Sequence, residues 1–454
     1  MNNQSKKMEL LGSASIPKAL LSMGIPTMIG MLVNAFYNLV DAYFVGGLGE
    51  SQMGAISVVY PLGQVVVGLG LLFGNGAASY ISRLLGRGDK ENANKVASTA
   101  LYSSVSVGAV IIIISMVFLH PILKLLGATD SILPFAATYA SIYIVSCIFN
   151  VFNVTMNNLV TSEGAAKTTM CALLTGAVLN IALDPLFIYV FDLGVAGAAI
   201  ATAISQVVST FVYLTYIFRK KSVFHFRVKD CTYTKENMSE IFKIGIPTLV
   251  FQILTSVSIS LINNAAGDYG DSAIAGMGVV TRLISMGSLS VFGFIKGFQP
   301  IAGYSYGAKK FNRLREAIKT SILWSTVFCV IFGVILALFP AAIVSRFTKG
   351  DAEMIRIGAA SLRANGISIM LFGFYTVYSS LFLALGKGRE GFILGACRQG
   401  ICFIPVILLL PIVWGLNGIM YAQPIADVLS AVITVFMAIP LHKKLNEMQN
   451  EVVY

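Results

Sequence analysis

Residues 24–27 read Gly24-Ile25-Pro26-Thr27, and residues 245–248 read Gly245-Ile246-Pro247-Thr248, the same four residues at a shift of 221 (247 minus 26). The same shift pairs Gly46 with Gly267, Gly49 with Gly270, Gly76 with Gly297, Gly86 with Gly307 and Gly197 with Gly418. A gap-free register held over that length marks an internal duplication, so two similar halves are expected.

The composition says what the halves are made of. The chain has 454 residues, of which 56% are hydrophobic and 12% charged. A water-soluble domain of that composition would expose large apolar patches, which leaves a polytopic membrane protein. A helix needs about 20 apolar residues to cross roughly 30 Å of hydrocarbon. Runs of that length begin near Ile16, Met53, Val96, Leu133, Thr168, Val195, Ile241, Ile274, Ile318, Ala359, Phe392 and Leu416, which gives twelve spans. Six spans per half is an even number. Both halves therefore enter from the same side and are related by an axis along the membrane normal. The expected fold is all-α: a six-helix bundle over 1–218, a basic cytoplasmic linker over 219–240 and a second six-helix bundle over 241–454, facing each other across a central cavity.

The net charge of +11 is compatible with nucleic-acid binding until the 32 Lys and Arg are placed. Twenty-four fall in connections on the side of the termini, the densest group running from Arg219 to Lys243; Lys124, Arg346, Lys349 and Arg356 fall on the other. Positive residues stay cytoplasmic, so both termini are expected inside and no nucleic-acid partner is required. The apolar stretch after the polar amino terminus is too long for a signal peptide and lacks a small-residue cleavage site, so it reads as the first span. The six cysteines show no CxxC pair, which argues against a disulfide framework or a zinc site.

Ionisable groups inside the spans are Asp41, Asp184, Asp427, Arg282, Lys296, Arg363 and Arg398. A charge in hydrocarbon is costly, so each is a functional candidate. At about 1.5 Å of rise per residue, Asp41 on span one, Asn180 and Asp184 on span five and Thr202 on span six share one depth band in the outer half. Two nearby carboxylates cannot both stay ionised cheaply, and Asn180 and Thr202 add neutral oxygens of the kind hard cations prefer. A proton, a desolvated Na⁺ or an organic cation all suit such a cluster. Pro185 removes a helix hydrogen bond and clashes with the carbonyl of Ile181, and Pro26 acts likewise in span one below Asp41. An acid near a helix end also has a plainer explanation, solvation at the interface. The repeat argues against a purely structural role: at the 221 shift Asp41 maps to Ile262 and Asp184 to Pro405. Asp427, with Arg363 or Arg398 as ion-pair partner, reads as structural or supporting.

Gly386–Gly391 fits GxGxxG but joins two membrane helices and follows no strand, and no HExxH, GxSxG or P-loop is present. An enzyme is not expected, and no organic cofactor is called for.

The stretches IPTMIGMLVNAFYNLVDAYFVGGLG (25–49), GNGAASYISRLLGRGD (74–89), LNIALDPLFIY (179–189) and GFQPIAGYSYGAKKFNRLREA (297–317) together resemble the multidrug and toxic compound extrusion (MATE) family, closest to its MepA-like and DinF-like bacterial branch. The resemblance covers essentially the whole chain. It implies a V-shaped pair of bundles in the plasma (inner) membrane, working as a monomer, that exports amphipathic or cationic drugs in exchange for H⁺ or Na⁺. By the same resemblance Asp41 and Asp184 are the coupling carboxylates, Asn180 and Thr202 their partners at the cation (as Na⁺ ligands if sodium is the ion), Tyr37 a neighbour of that site and Pro26 the bending point of span one. Other branches carry acids in spans seven and ten, where this chain has none between Ile244 and Ala266 or between Leu362 and Leu385. Coupling is therefore expected in the first bundle alone, with H⁺ or Na⁺ and a cationic drug competing for Asp41 and Asp184 at one site. Phe36, Tyr37, Phe149, Phe152, Asn153 and Asn157 are the candidate walls of the substrate cavity. Aromatic stripes of this kind serve more often as helix packing. Rival readings are a lipid-linked precursor flippase, supported if Arg282, Lys296, Arg363 and Arg398 all face one lumen, and an ion channel or receptor.

Overall fold

A computed structural model describes residues 3–347 and 351–453; Lys349, counted above among the outer cations, lies outside the described residues. Twelve helices are long and apolar enough to span a membrane: Ile16–Gly46, Ser51–Gly86, Lys90–Val117, Leu133–Ser162, Ala166–Val190, Gly194–Phe218, Lys235–Gly267, Ser272–Gly307, Phe311–Leu338, Ala352–Ala384, Gly388–Trp414 and Leu416–Asn450, numbered here as spans one to twelve. Several begin before the apolar run because a polar residue caps them. Asp89 accepts from the Asn92 amide at 3.1 Å and starts span three at Lys90, six residues ahead of Val96. Thr234 accepts from the Asn237 amide at 3.3 Å and starts span seven at Lys235.

The two bundles are fastened by the glycines that the repeat shares. A Cβ on Gly76 of span two would meet the backbone of Ile241 and Gly245 on span seven; a Cβ on its repeat mate Gly297 of span eight would meet Met23 and Gly24 on span one. One turn or more toward the termini, Gly86 faces the backbone of Tyr304 and Gly307 that of Arg83. Helices that cross backbone to backbone leave no room for a side chain. The threonines of the two GIPT motifs sit at the same crossings: the Thr27 hydroxyl donates to the Gly293 carbonyl at 2.6 Å, and Thr248 accepts from the Asn75 amide at 2.8 Å. As a result the first turns of spans one and seven pack into the opposite half. Ile16, Leu20 and Met23 belong to the core of the second bundle, and Ile241 belongs to that of the first.

These contacts lie on the near side, where the chain begins and ends. Arg83 pairs with Glu240 at 2.6 Å, the Tyr80 hydroxyl donates to Glu236 at 3.3 Å, and Ser79 donates to the Leu383 carbonyl at 2.5 Å. The farthest inter-bundle hydrogen bond from the termini joins Gln252 to Gln64 at 2.7 Å, near the middle of both helices.

A short helix, Asn3–Gly12, closes the near side. Its Lys7 is buried against Glu163 at 3.1 Å, whose other oxygen accepts from the Ser222 hydroxyl at 2.9 Å and the Val223 amide at 2.6 Å. At its carboxyl end Lys310 donates to the Gly12 carbonyl at 2.7 Å, and Arg313 donates to the carbonyls of Leu10, Leu11 and Ala14. The segment after span six is likewise packed: Phe224 and Phe226 sit in the core of the first bundle, and Tyr102 donates to the Phe226 carbonyl at 3.0 Å.

The crossings make a steric prediction. Gly76→Val or Gly297→Val places a branched side chain on facing backbone and is expected to lower stability by about 1–3 kcal/mol. Gly267→Ala, with open space around it, is expected to be neutral. Thermal unfolding of the detergent-purified variants checks this, and equal midpoints for all three would refute the close packing.

Candidate functional site

Span five carries the acid. It runs as a regular helix to Pro185 and then widens into a π turn, Leu186–Val190. Proline has no amide hydrogen, so the helix loses a bond next to Asp184, and wide turns of this sort accompany functional positions. Span one, by contrast, is continuous through Pro26.

Asp184 and Asn180 stand one turn apart on the buried face of span five, at 0% and 1% exposure. The Asn180 amide nitrogen lies 3.4 Å from Asp184 Oδ1 and 3.4 Å from the Thr202 hydroxyl on span six. Both distances are long for hydrogen bonds. Asp41 on span one, half-buried, lies close enough to Asp184 for the two carboxyl groups to interact electrostatically. The structure thus assembles the four residues that the depth argument had grouped. Three of their oxygens, Asp41 Oδ1, Asp184 Oδ2 and Asn180 Oδ1, are buried without a hydrogen-bond donor among the described residues. Buried acceptors are expensive to leave unsatisfied, and carboxylates most of all. A shared proton between the acids, or a small hard cation held by carboxylate, amide and hydroxyl oxygens, satisfies that set.

Aromatic rings surround the pair. Tyr37, four residues before Asp41, lies beside both carboxyl groups. Tyr139 and Tyr143 on span four, stacked with centroids 5.4 Å apart, approach from the other side. These two were not among the sequence candidates, although their spacing of four on one helix and the glycine opposite, Gly63, whose Cβ would strike the Tyr143 hydroxyl, mark a packed face.

A cavity of about 530 Å³ lies elsewhere. It opens between the bundles, with Met31, Tyr60 and Asn75 on one wall and residues of spans seven, eight, ten, eleven and twelve on the others. None of the six expected wall residues lines it. Phe36 is 58% exposed, and Phe152 packs on the core of the first bundle. Phe149 is half-buried. Asn153 is used within the bundle, donating to the Gln206 carbonyl and side chain at 2.9 Å and accepting from Thr210 at 2.9 Å. Asn157 accepts from Lys296 of span eight.

The intramembrane ions of the second half separate into three kinds. Asp427 is fully engaged, accepting from Arg398 at 3.0 Å, Ser368 at 2.9 Å, Tyr375 at 3.1 Å and Gln423 at 2.9 Å. Arg398 stands in a second π turn, Cys397–Ile401, and borders the cavity together with Lys296. Arg282 and Arg363 are exposed and do not line it.

A twelve-span helical protein whose bundles meet at one side, with a drug-sized cavity lined by both and a buried carboxylate pair apart from it in the first bundle, is a membrane transporter in architecture. The sequence model of the MatE family matches residues 26–186 and 247–409, two segments whose starts differ by the repeat shift of 221 (247 minus 26). The multidrug export protein MepA of Staphylococcus aureus is 32% identical over 437 residues, 96% of each chain. Among solved structures, an outward-facing multidrug resistance MATE family transporter of the MOP superfamily superposes with a TM-score of 0.91 at 26% identity, covering 98% of this chain and 99% of the other. A MOP superfamily transporter from Pyrococcus furiosus, described as having a binding pocket of reverse polarity and a different function, superposes at 0.90 and 26% identity with the same coverage. The chain belongs to the MatE family, whose members are transporters and not enzymes.

The two buried acids make opposite predictions. Asp427→Asn breaks a satisfied ion pair and is expected to cost about 3–5 kcal/mol. Asp184→Asn removes a charge that has no cationic partner, so at alkaline pH without Na⁺ its unfolding midpoint is expected to equal or exceed that of the wild type. A fall as large as that of Asp427→Asn would make Asp184 a structural acid.

Proposed function

We propose that this protein is a secondary active antiporter that exports amphipathic drugs and toxic compounds, drawing inward flow of H⁺ or Na⁺ through Asp41 and Asp184. The observation that carries the reading is the carboxylate pair with two oxygens, and the neighbouring Asn180 with a third, left without a donor among the described residues, an arrangement suited to holding a cation. Asn180 and Thr202 complete the ion site, and Tyr37 flanks it. The MepA relative supports drugs as cargo, and a cavity of about 530 Å³ suits a drug-sized body.

Direction follows from the charge distribution. With the basic connections on the cytoplasmic side of the plasma membrane, both termini lie inside, and bundles fastened on that side correspond to an outward-facing state. The carboxylate pair then sits in the outer half, where an external ion reaches it. Because Asp41, Asp184, Asn180 and Thr202 are absent from the cavity wall, the geometry favours ion and cargo at two linked places over competition at one. The link runs through the first bundle: Tyr143 lies near Tyr37 and Asp41 on one side and near Tyr60, which lines the cavity, on the other. Ion binding drives export if it stabilises one bundle arrangement over the other. Cationic cargo is what the family resemblance implies, although among the described residues no acid lines the cavity to attract it; Pro26 and Pro185 serve as points of bending. One chain contains both places, so a monomer suffices.

The flippase reading called for four cations in one lumen, and Arg282 and Arg363 stand outside it. A channel has no need of a carboxylate pair walled off from the central opening.

Efflux from proteoliposomes under an imposed pH or Na⁺ gradient tests the proposal. Wild-type protein is expected to move a fluorescent amphipathic drug against its gradient under one of the two, which identifies the ion. Asp41→Asn and Asp184→Asn are each expected to abolish gradient-driven efflux. Normal pumping by both variants would remove the ion site from the mechanism.

A further inference from the structure

The charged side chains that line the large cavity, among the described residues, are Lys296 and Arg398, and no Asp or Glu lines it. Arg398 is offset by Asp427 at 3.0 Å. Lys296 is not: its ammonium donates to the neutral Asn157 side chain, and no carboxylate pairs with it among the described residues. An ammonium has three hydrogens to donate, so two are left for another acceptor. A cavity wall that carries one uncompensated positive charge repels cations and attracts an anion.

The position of Lys296 narrows the anion. A smaller cavity, about 20 Å³, continues toward the termini beneath the large one, and Lys296, Asn75, Asn158 and Gln299 line both. These four side chains form the neck at the cavity floor, one ammonium ringed by three amides. We propose that this neck is a subsite for the carboxylate of an acidic or zwitterionic amphiphile, whose apolar body lies above it against Phe251, Phe292 and Phe403. A single ammonium supplemented by amide donors matches a monoanion. A phosphate or pyrophosphate carries more charge and is ordinarily met by several cations, with bidentate guanidinium contacts. The assignment rests on the reading that the cavity holds cargo, and it names a cargo class which that reading leaves open.

The subsite also bears on coupling. Asn75, Asn157 and Asn158 belong to the first bundle, and Lys296 and Gln299 to the second. At the 221 shift Lys296 is the repeat mate of Asn75, so the two halves place one cation and one amide at equivalent points on either side of the neck. A carboxylate seated here touches both bundles and competes with Asn157 for the ammonium. Its binding therefore depends on how the bundles are apposed, which is the differential affinity that transport requires.

The test uses full-length protein in detergent and three probes that share one naphthyl body: a carboxylate, its methyl ester and a quaternary ammonium. Wild-type protein is expected to bind the carboxylate at least about tenfold tighter than the ester, the value of a charge-assisted hydrogen bond in a cavity. Lys296→Gln is expected to erase that preference while leaving ester affinity within about twofold, and Lys296→Arg to retain it. No preference in the wild type, or an equal loss of all three probes in Lys296→Gln with unchanged thermal stability, would overturn the subsite. Thr281→Trp, which fills the cavity away from the neck, separates the two levels. If it leaves every probe unaffected, the cavity is not the cargo site and both readings fall; if it blocks all three while Lys296→Gln retains the carboxylate preference of the wild type, only the subsite does.

Discussion

Backbone contact between the bundles is the constraint on which the rest of the structure depends. At Gly76 against span seven and Gly297 against span one, two helices approach so closely that a single Cβ on either glycine would fall on facing main chain. Contacts of that closeness fix the crossing points and the angle between the helices, and they hold the bundles together on the near side. The first turns of spans one and seven are drawn into the opposite core. Among the described residues no hydrogen bond joins the bundles farther from the termini than the one between Gln64 and Gln252. The carboxylate pair, the aromatic rings beside it and the lysine neck all take their positions from this one-sided fastening.

The duplication supplies the scaffold twice and the chemistry once. The glycines and the GIPT threonines recur in both halves and make equivalent contacts in both. The charged residues do not recur. The carboxylates of the first bundle map to Ile262 and Pro405, Asp427 maps to Gln206, and Lys296 maps to Asn75. Where Asp427 gathers four donors, Gln206 takes part in a neutral network with Asn153. The separation is physically economical: Asp41 and Asp184 in the first bundle and Lys296 in the second do not neutralise each other, whereas Asp427 and Arg398, both in the second bundle, do.

How much of this was legible in the sequence depended on the range of the interaction. The twelve spans and their pairing in two halves followed from apolar run length and the 221 shift, because hydrocarbon thickness and a gap-free register are one-dimensional constraints. The acid site was legible for a similar reason: depth along a helix is a linear coordinate, and Asp41, Asp184, Asn180 and Thr202 share it. Depth does not specify azimuth. Phe152 and Asn153 sit at plausible heights but turn into the first bundle, and Phe36 and Phe149 do not reach the cavity. The cavity wall depends on which faces of spans seven to twelve look across the gap, and that is set by the glycine crossings. Lys296 and Arg398 were visible as charges, yet their difference, one paired and one not, exists only in three dimensions. The caps at Asp89 and Thr234 lengthened helices past their apolar runs for a local reason that hydropathy alone does not register.

The near side adds a mechanical consideration. The helix Asn3–Gly12 is tied to the first bundle by a buried ion pair whose carboxylate is satisfied by four protein groups, Lys7, Tyr216, Ser222 and Val223. Its ties to the second bundle run from Lys310 and Arg313 to carbonyls at the helix end, where the dipole favours positive charge. Breaking the first set strands a charge in the interior, while breaking the second returns two long cations to water. The two attachments therefore differ in cost, and the cheaper one lies at the boundary between the bundles. Parting the fastened side also withdraws Leu11, Ile16, Leu20 and Met23 from the core of the second bundle and Ile241 from that of the first, so an exchange of access between two sides of a membrane has to repack both cores at the crossings.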